Sequence, residues 1–477
     1  MLILNSQQPS ADISCCLNVT ENIMAKKDLT QGNVTRTMLL FAGPMILGNL
    51  LQQCYNIADT LIVGQFIGAD ALAAVGSAYT LMTFLTSILI GLCMGSSSVF
   101  SYYFGQKDEE KMKNSILLSF LLIGATALVM TALVFAGLDL ILKLLQTPDE
   151  LFDMMHGYVF IIFIGIFFVF LYNYFAFLLR AIGNSVTPLW FLGLAALLNI
   201  VLDLIFVIVF RWGVEGAAAA TVITQAFSGI GIAVYTWRKE ISLRPDIKKA
   251  DFGKPAVKEI VNFSLAASIQ QSVMNFGILM IQGLVNSFGP AVMAAFAAAV
   301  KIDSFAYMPA QEFGNAFSLF ISQNYGGSRR DRIREGTKSA FRVSALFCLC
   351  VSILVFLTAP WLMRIFVNGS EAEIIAIGAG YLRIEGAFYC GIGILFLLYG
   401  YYRGIRRPEM SLVLTILSLG TRVLLAYLLA PVPAIGVYGI WWAIPIGWIL
   451  ADAAGLLYMR FLSVRSPESK ASGSLPR

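Results

Sequence analysis

The chain of 477 residues is 58% hydrophobic and only 13% charged. Soluble domains contain roughly 45–50% apolar and about 25% charged residues, so this composition excludes a soluble globular protein. The mean hydropathy is +0.77. Many uncharged runs are far longer than the roughly ten residues of a transmembrane β-strand, which excludes a membrane barrel and predicts an all-α integral membrane protein.

Uncharged segments of bilayer-spanning length recur along the whole chain. One span needs about 20 predominantly apolar residues, so the longest runs must contain turns. The sequence Gly289-Pro290 marks one such turn. Dividing the runs at such points predicts twelve spans, near residues 37–62, 73–104, 114–138, 154–181, 187–210, 214–237, 256–286, 291–323, 338–360, 375–402, 409–430 and 436–461.

The basic residues predict how these spans are oriented. An even number of spans places both termini on one side of the membrane, together with every second loop. Most of the 33 Lys and Arg residues fall on that side. The exceptions are Lys143, Arg211 and Arg364 on the opposite side and Lys301, Arg342, Arg383 and Arg422 within spans. Because basic loops remain in the cytoplasm, both termini are predicted to be cytoplasmic. The net charge of +5 reflects this bias and predicts no nucleic-acid partner.

Several enzyme classes lack the residues that they would need. The longest polar loop, 238–258, is too short for a folded catalytic domain. The only Gly-Lys pair, Gly253-Lys254, is followed by Pro255, so no Walker A sequence is present. The seven cysteines and the single histidine lack the spacing of a metal site or a disulfide framework. We therefore expect no enzyme activity, no metal and no cofactor.

The two halves of the chain resemble each other at a nearly constant spacing. Gly68 matches Gly289, Arg180 matches Arg403, and the dipeptide Gly157-Tyr158 recurs as Gly380-Tyr381. Six spans followed by six more form a parallel repeat, which is typical of transporters with a central cavity between two lobes. The predicted organisation is a cytoplasmic tail (1–36), an N-lobe (37–237), a cytoplasmic linker (238–255), a C-lobe (256–462) and a second cytoplasmic tail (463–477). Residues 1–23 are polar, and we expect either a disordered tail or a natural start at Met24.

Acidic residues within the spans are the first candidates for function, because a carboxylate in hydrocarbon costs several kcal/mol. Asp59 lies late in span 1, three residues after Asn56, and Asp203 lies in span 5, four residues after Asn199. Each acid therefore shares a helix face with an amide. If spans 1 and 5 pack together, the two acids converge and either share a proton or hold Na⁺. The alternative is that Asp59 lies at the outer interface and Asp203 bonds a helix neighbour.

The second half contains further charges within its spans. Lys301, Asp303 and Glu312 are predicted to cluster in span 8, either as functional residues or as an ion pair. Arg422 and Asp452, on the last two spans, are predicted to pair with each other. Arg383 and Glu385 lie in the first half of span 10, where Arg383 is expected to snorkel to the interface. Interior prolines predict bent or broken helices in spans 1, 8 and 12, at Pro44, Pro309 and Pro445.

Several of these motifs together resemble the MATE (multidrug and toxic compound extrusion) family. The motifs occur in order along residues 26–462. They are Phe41-Ala42-Gly43-Pro44, Asn56-Ile57-Ala58-Asp59-Thr60, Gly64, Ala71-Leu72-Ala73-Ala74, Arg180-Ala181-Ile182-Gly183, Leu198-Asn199-Ile200-Val201-Leu202-Asp203 and Tyr402-Arg403-Gly404. The likeness is strongest to the bacterial branch with the DNA-damage-inducible (DinF-like) members.

The resemblance implies a twelve-helix, two-lobe antiporter with a V-shaped central cavity. It implies that Asp59, Asn199 and Asp203, with Asn56 nearby, bind the coupling ion, either H⁺ or Na⁺. It further implies a monomer in the bacterial inner membrane that exports amphipathic or cationic organic compounds.

The chain departs from the family pattern in the C-lobe. Some members carry an acid in span 7, where this chain has Gln270-Gln271, and another in the middle of span 10, where residues 389–394 are uncharged. A C-lobe ion site of that kind is therefore doubtful, which favours the N-lobe site and proton coupling. Secondary cavity candidates are Gln270, Gln271, Lys301, Asp303, Glu312 and Arg422, and candidate substrate contacts are Tyr55, Met274, Phe276 and Met280.

Three alternatives to drug export remain. A lipid-linked oligosaccharide flippase of the same superfamily would share the architecture, but such flippases tend to line their cavity with basic residues, which are few here. An intramembrane enzyme or a passive channel fits less well, because the chain lacks a nucleophile–base pair or metal ligands and has duplicated lobes.

Overall fold

The computed structural model describes residues 27–144 and 149–465. The predictions for residues 1–26, including the start at Met24, and for residues 466–477 lie outside the described residues. Within these ranges the fold is helical and contains no strand. Ten helices are long and apolar enough to cross a membrane, and two bent helix pairs bring the number of spans to twelve. The predicted all-α fold with twelve spans is thereby confirmed.

The helices follow the predicted spans closely and are numbered accordingly. The N-lobe contains α1 (Val34–Phe66), α2 (Ala69–Gln106), α3 (Glu109–Leu144), α4 (Asp149–Ile164 and Ile166–Ala181), α5 (Val186–Asp203) and α6 (Gly213–Lys239). The C-lobe contains α7 (Lys254–Asn286), α8 (Pro290–Gly326), α9 (Arg330–Met363), α10 (Ala372–Gly386 and Tyr389–Gly404), α11 (Pro408–Leu429) and α12 (Tyr438–Arg465). The linker contains two short 3₁₀ turns, Ile241–Leu243 and Ile247–Lys249.

The sharp breaks occur in α4 and α10, which bend by 43° and 52°. Spans 1, 8 and 12, which were predicted to be bent or broken, are not broken, because the helices continue through Pro44, Pro309 and Pro445, and a bend at these prolines stays a prediction. Neighbouring helices and polar side chains can satisfy the carbonyl group that a proline leaves free, so a bundle tolerates such residues. A further irregularity is a π-helical turn, Leu204–Val209, directly after Asp203.

The internal repeat is visible in the backbone conformation as well as in the sequence. Most residues with positive φ occur in pairs, with one member at the equivalent turn of each lobe. The pairs are Gly68 with Gly289, Lys107 with Ser328, Gly183 with Arg406, and Gly213 with Gly436. Left-handed backbone is costly for residues other than glycine, so its recurrence at equivalent turns shows that the two lobes share one turn geometry.

The two lobes touch closely on the side that carries the termini and as far as mid-span, where a Cβ atom added to Gly91 would lie 2.4 Å from the Ser268 Cα atom. A Cβ atom added to Gly105 would lie 1.9 Å from the Gln323 carbonyl oxygen, and one added to Gly326 would lie 2.0 Å from that of Tyr102. On the opposite side a Cβ atom at Gly68 or Gly289 would meet nothing within 4 Å. Among the described residues, the hydrogen bonds between lobes lie on the terminal side or near mid-span, including Ser96 to Ser264 and Ser101 to Leu319.

Candidate functional site

The N-lobe brings together the acids that the sequence singles out. Helix α1 packs against α5, which places Asp59 opposite Asp203 and Asn199. Asp203 is 0% exposed and Asn199 is 1% exposed. The two carboxyl groups are direct neighbours. The predicted convergence of spans 1 and 5 is therefore present in the structure.

The polar atoms of this N-lobe site have few partners. Both carboxyl oxygens of Asp203, both amide heavy atoms of Asn199 and Oδ1 of Asp59 are buried without a hydrogen-bond partner among the described residues. An unpaired buried polar group costs about 1–3 kcal/mol, and natural proteins tolerate this cost mainly where the group has a task. Two adjacent carboxyl groups cannot both ionise cheaply, so the pair is suited to hold one proton.

Two tyrosines complete the N-lobe site, and only Tyr55 was predicted from the sequence. Tyr55, a predicted substrate contact, lies within electrostatic range of both acids and beside Thr221 of α6. Tyr158 of α4 approaches the same acids. The repeated Gly-Tyr dipeptide was the sequence signal for Tyr158. Asn56 is half-buried one turn before Asp59 and is not among the groups that contact the acids.

The helical break at the end of α5 contributes to the geometry of the N-lobe site. The π-helical turn begins at Leu204, directly after Asp203. Such turns widen the helix by one residue, shift the following side chains around the axis and occur frequently at functional sites. No proline or glycine marks this turn in the sequence, so it was not predicted.

The C-lobe contains a second buried cluster of ionisable groups, which we call the C-lobe cluster. It consists of Asp303 from α8, Tyr381, Glu385 and Tyr389 from α10, and Arg422 from α11. The Tyr381 hydroxyl donates to Asp303 Oδ2 at 3.5 Å. Asp303 Oδ1, Glu385 Oε1, Tyr389 Oη and Arg422 Nε are buried without a partner among the described residues. Glu385 is 1% exposed.

The C-lobe cluster follows the internal repeat in part. Tyr381 and Arg422 occupy the positions equivalent to Tyr158 and Asn199, which belong to the N-lobe site. The acids of the cluster come from other helices. At the positions equivalent to Asp59 and Asp203, the C-lobe carries Met280 and Ala426. All members of the cluster except Tyr389 line a cavity whose apolar walls include Met274, Phe296 and Trp448.

Tyr389 was not predicted as a member of a site, and Glu385 was named only as an acid within span 10, without a partner. Because residues 389–394 in the middle of span 10 are uncharged, a C-lobe ion site was expected to be doubtful. The structure instead gathers an acid pair from Asp303 and from Glu385, which lies next to the break in α10 between Gly386 and Tyr389.

The predicted grouping of charges on span 8 is not observed. Lys301 is exposed and lines a shallow pocket with Asn368 and Glu371. Asp303 joins the C-lobe cluster, and Glu312 accepts hydrogen bonds from the side chains of Asn49 (3.1 Å) and Asn315 (3.3 Å). The three side chains point to different neighbours because positions 301 and 303 differ by about 200° around the helix and Glu312 lies three turns further along.

The predicted ion pair between Arg422 and Asp452 is also wrong. Within the part of the chain that the structure describes, the Arg422 guanidinium forms no ion pair with Asp452. It lies over the Trp448 ring at 5.8 Å and faces the cavity that Asp303 and Glu385 line.

The remaining predicted residues lie at different places. Gln270 is buried and Gln271 is half-buried, and neither lines the C-lobe cavity. Met274 does line it, and its role as a substrate contact stays a prediction. Phe276 is 57% exposed, and Met280 is half-buried outside the cavity lining.

Arg422 provides a test of the C-lobe cluster. Replacing Arg422 by methionine removes the positive charge that faces the two acids of the cluster across the cavity, which is expected to destabilise the folded protein. We expect a lower midpoint of thermal unfolding in detergent and recovery of most of the loss when Glu385→Gln is added. An exposed arginine, Arg334→Met, is the control and should leave the midpoint unchanged. Equal midpoints for the single and double variants would contradict the assignment.

Comparisons with known proteins agree with this architecture. The MatE family model matches residues 44–205 and 266–428, one match in each lobe. The chain is 31% identical over 444 residues to the probable multidrug resistance protein YpnP of Bacillus subtilis (strain 168), covering 92% of this chain and 97% of the relative. It is 26% identical over 451 residues to the probable multidrug resistance protein YoeA of the same strain, covering 92% and 96%.

Among solved structures, a MOP superfamily transporter from Pyrococcus furiosus Vc1 (DSM3638) superimposes with a TM-score of 0.86 at 24% identity, covering 92% of this chain and 98% of that one. This likeness concerns the fold. The family model and the similarity to YpnP extend over both lobes, and the chain is a multi-pass membrane protein that belongs to the MATE family.

Proposed function

We propose that this protein is a secondary active exporter that exchanges amphipathic or cationic organic compounds for protons by alternating access. The observation that carries the proposal is the pair of buried, adjacent carboxyl groups of Asp59 and Asp203 with the unpaired amide of Asn199. The names of the relatives YpnP and YoeA support drug export. The protein acts as a monomer in the bacterial inner membrane with both termini in the cytoplasm. Placement in the DinF-like branch stays a prediction.

Proton exchange follows from the chemistry of the pair. When the N-lobe site holds its shared proton, the pair of carboxyl groups carries one negative charge. When it loses this proton, it carries two negative charges in a medium of low dielectric constant, where it attracts an organic cation more strongly. Proton and cation therefore compete for one site, which is the requirement for exchange. Na⁺ is the alternative coupling ion, and the oxygens of Asp59, Asn199 and Asp203 would then be its ligands.

A lipid-linked oligosaccharide flippase is the second candidate, and the charge of the buried sites argues against it. A pyrophosphate-linked lipid is anionic and would be repelled by deprotonated acids in both lobes. Of the basic candidates, Lys301 is exposed and faces a shallow pocket, and Arg422 is surrounded by acids. Growth rescue of a strain without its own flippase would favour this alternative.

The choice of coupling ion is open to a direct test. The purified protein is reconstituted in proteoliposomes with a fluorescent organic cation, and a proton or a Na⁺ gradient of equal size is imposed. We expect the proton gradient alone to drive accumulation of the cation, with abolition by a protonophore. Uptake that follows the Na⁺ gradient and is unaffected by the protonophore would show that Na⁺, rather than H⁺, is the coupling ion. Uptake with neither gradient would contradict antiport.

A further inference from the structure

The segment in front of α1 crosses from one lobe to the other. We call residues 27–32 the N-terminal strap. At one end the Lys27 amide donates to the Gly183 carbonyl, in the loop between α4 and α5 of the N-lobe, at 3.2 Å. Two residues later Leu29 is 0% exposed and packs in a cluster with Phe317 and Phe320 of α8. The strap therefore fills the seam between the lobes on the terminal side.

Side chains of the C-lobe hold the strap through its backbone. Gln323 accepts a hydrogen bond from the Leu29 amide at 3.1 Å, and Asn324 donates to the Leu29 carbonyl at 3.1 Å. Gln323 also donates to the Ala181 carbonyl of the N-lobe at 2.8 Å, so this one side chain bridges three parts of the seam. Gln323 and Asn324 are both fully buried.

Arg332, at the start of α9, is the strongest attachment. Its guanidinium donates to the carbonyl groups of Gly32 (2.7 Å), Gln31 (2.9 Å) and Leu29 (3.2 Å). It also donates to the Asn324 side chain at 3.2 Å, which holds the guanidinium in place. Hydrogen bonds from a charged donor are roughly twice as strong as neutral ones. A fork of donors matches several carbonyl groups at once, which a lysine cannot do.

The second lobe repeats the arrangement with a different residue. The segment 250–253 precedes α7, as the strap precedes α1. Asn114 of α3 donates to the Asp251 carbonyl at 3.0 Å and accepts from the Asp251 amide at 2.8 Å. The entry segment of each lobe is thus attached to the opposite lobe. Because the lobes are joined both at the strap and at segment 250–253, the separation of the lobes on this side is restrained.

We propose that the N-terminal strap is a lock on the terminal side of the transporter, and that Arg332 is the positioning residue that keeps it closed. This inference rests on the alternating access proposed above. When the lobes part on this side, Leu29 loses its buried environment and the strap must leave either Gly183 or Arg332. The strength of the Arg332 attachment then sets how often the terminal side opens.

The test measures opening through a buried reporter. Ser101, which is 0% exposed and donates to the Leu319 carbonyl across the seam, is changed to cysteine in a background without other cysteines. The rate of labelling by a small water-soluble thiol reagent is measured on the full chain in nanodiscs. We expect Arg332→Ala to raise the rate at least tenfold. Arg332→Lys, which keeps the charge without the fork, should give an intermediate rise.

The control is Arg334→Ala, two residues further along the same helix and exposed. It should leave the labelling rate unchanged. If Arg332→Ala and Arg332→Lys both match this control, the lock is refuted. If the alanine variant does not fold, the lysine variant decides alone, and a labelling rate equal to that of the control refutes the lock. Labelling needs neither substrate nor an ion gradient. A failure of the lock is therefore distinguishable from a failure of drug–proton exchange, which transport assays detect separately.

Discussion

Replacing Asp203 by asparagine is expected to abolish proton-driven efflux while leaving the protein folded. Asparagine has nearly the same shape as aspartic acid, but it has no proton to exchange and carries no charge to attract a cation. Asp59→Asn should have the same effect, because the two carboxyl groups act as one site. The measurement is the initial rate of efflux of a fluorescent cation from proteoliposomes under a proton gradient, and we expect at least a tenfold loss.

The matched control is Asp70→Asn, because Asp70 is exposed at the start of α2. It removes one carboxylate of the same kind from the same lobe and should leave the efflux rate within twofold of the unchanged protein. If Asp203→Asn and Asp59→Asn transport as well as this control, the N-lobe site does not couple the ion. The C-lobe cluster would then be the next candidate.

A single methyl group at Gly326 is expected to disrupt the contact between the lobes. The Cβ atom of Gly326→Ala would lie 2.0 Å from the Tyr102 carbonyl oxygen, which is backbone and cannot rotate away. The helices must separate to accept it, so the terminal side loses its close packing. We expect the midpoint of thermal unfolding to fall and transport to be lost, with a destabilisation of about 1–3 kcal/mol or more, as for other overpacked sites.

Gly283→Ala is the control for this prediction. Gly283 lies in α7, and an added Cβ atom would meet nothing within 4 Å. Alanine is the better helix former, so this variant should be neutral or more stable by up to about 1 kcal/mol. Equal effects of the two variants would show that helix propensity, rather than the contact between lobes, governs the result.

Much of this molecule follows from its sequence because the bilayer imposes strict rules. Apolar runs of fixed length predicted all twelve spans to within a few residues at most ends, and span 7, predicted at 256–286, is observed as Lys254–Asn286. The acid pair was also predictable, since an isolated Asp59 or Asp203 in hydrocarbon would be too costly without a task. The nearly constant spacing between equivalent residues of the two halves predicted the two lobes.

The errors arose where a helix departs from regular geometry or where its partners lie far away in the sequence. The breaks fall at Gly165 and near Phe388, which are equivalent positions of the two lobes, and none falls at Pro44, Pro309 or Pro445. Glu385 was named as an acid within a span but was not joined to Asp303, because the two residues lie on different helices. The contacts of Arg422 and Arg332 depend on which helices meet. One sequence contains no direct information on such long-range neighbours.

The central claim is that Asp59 and Asp203 exchange a proton for the substrate. It is tested most directly by measuring proton release from the purified protein in weakly buffered detergent solution as a fluorescent organic cation is added. We predict that the unchanged protein releases about one proton for each cation bound at the N-lobe site. We also predict that Asp203→Asn releases none under the same conditions. Cation binding without proton release by the unchanged protein, or equal release by the variant, would contradict the account.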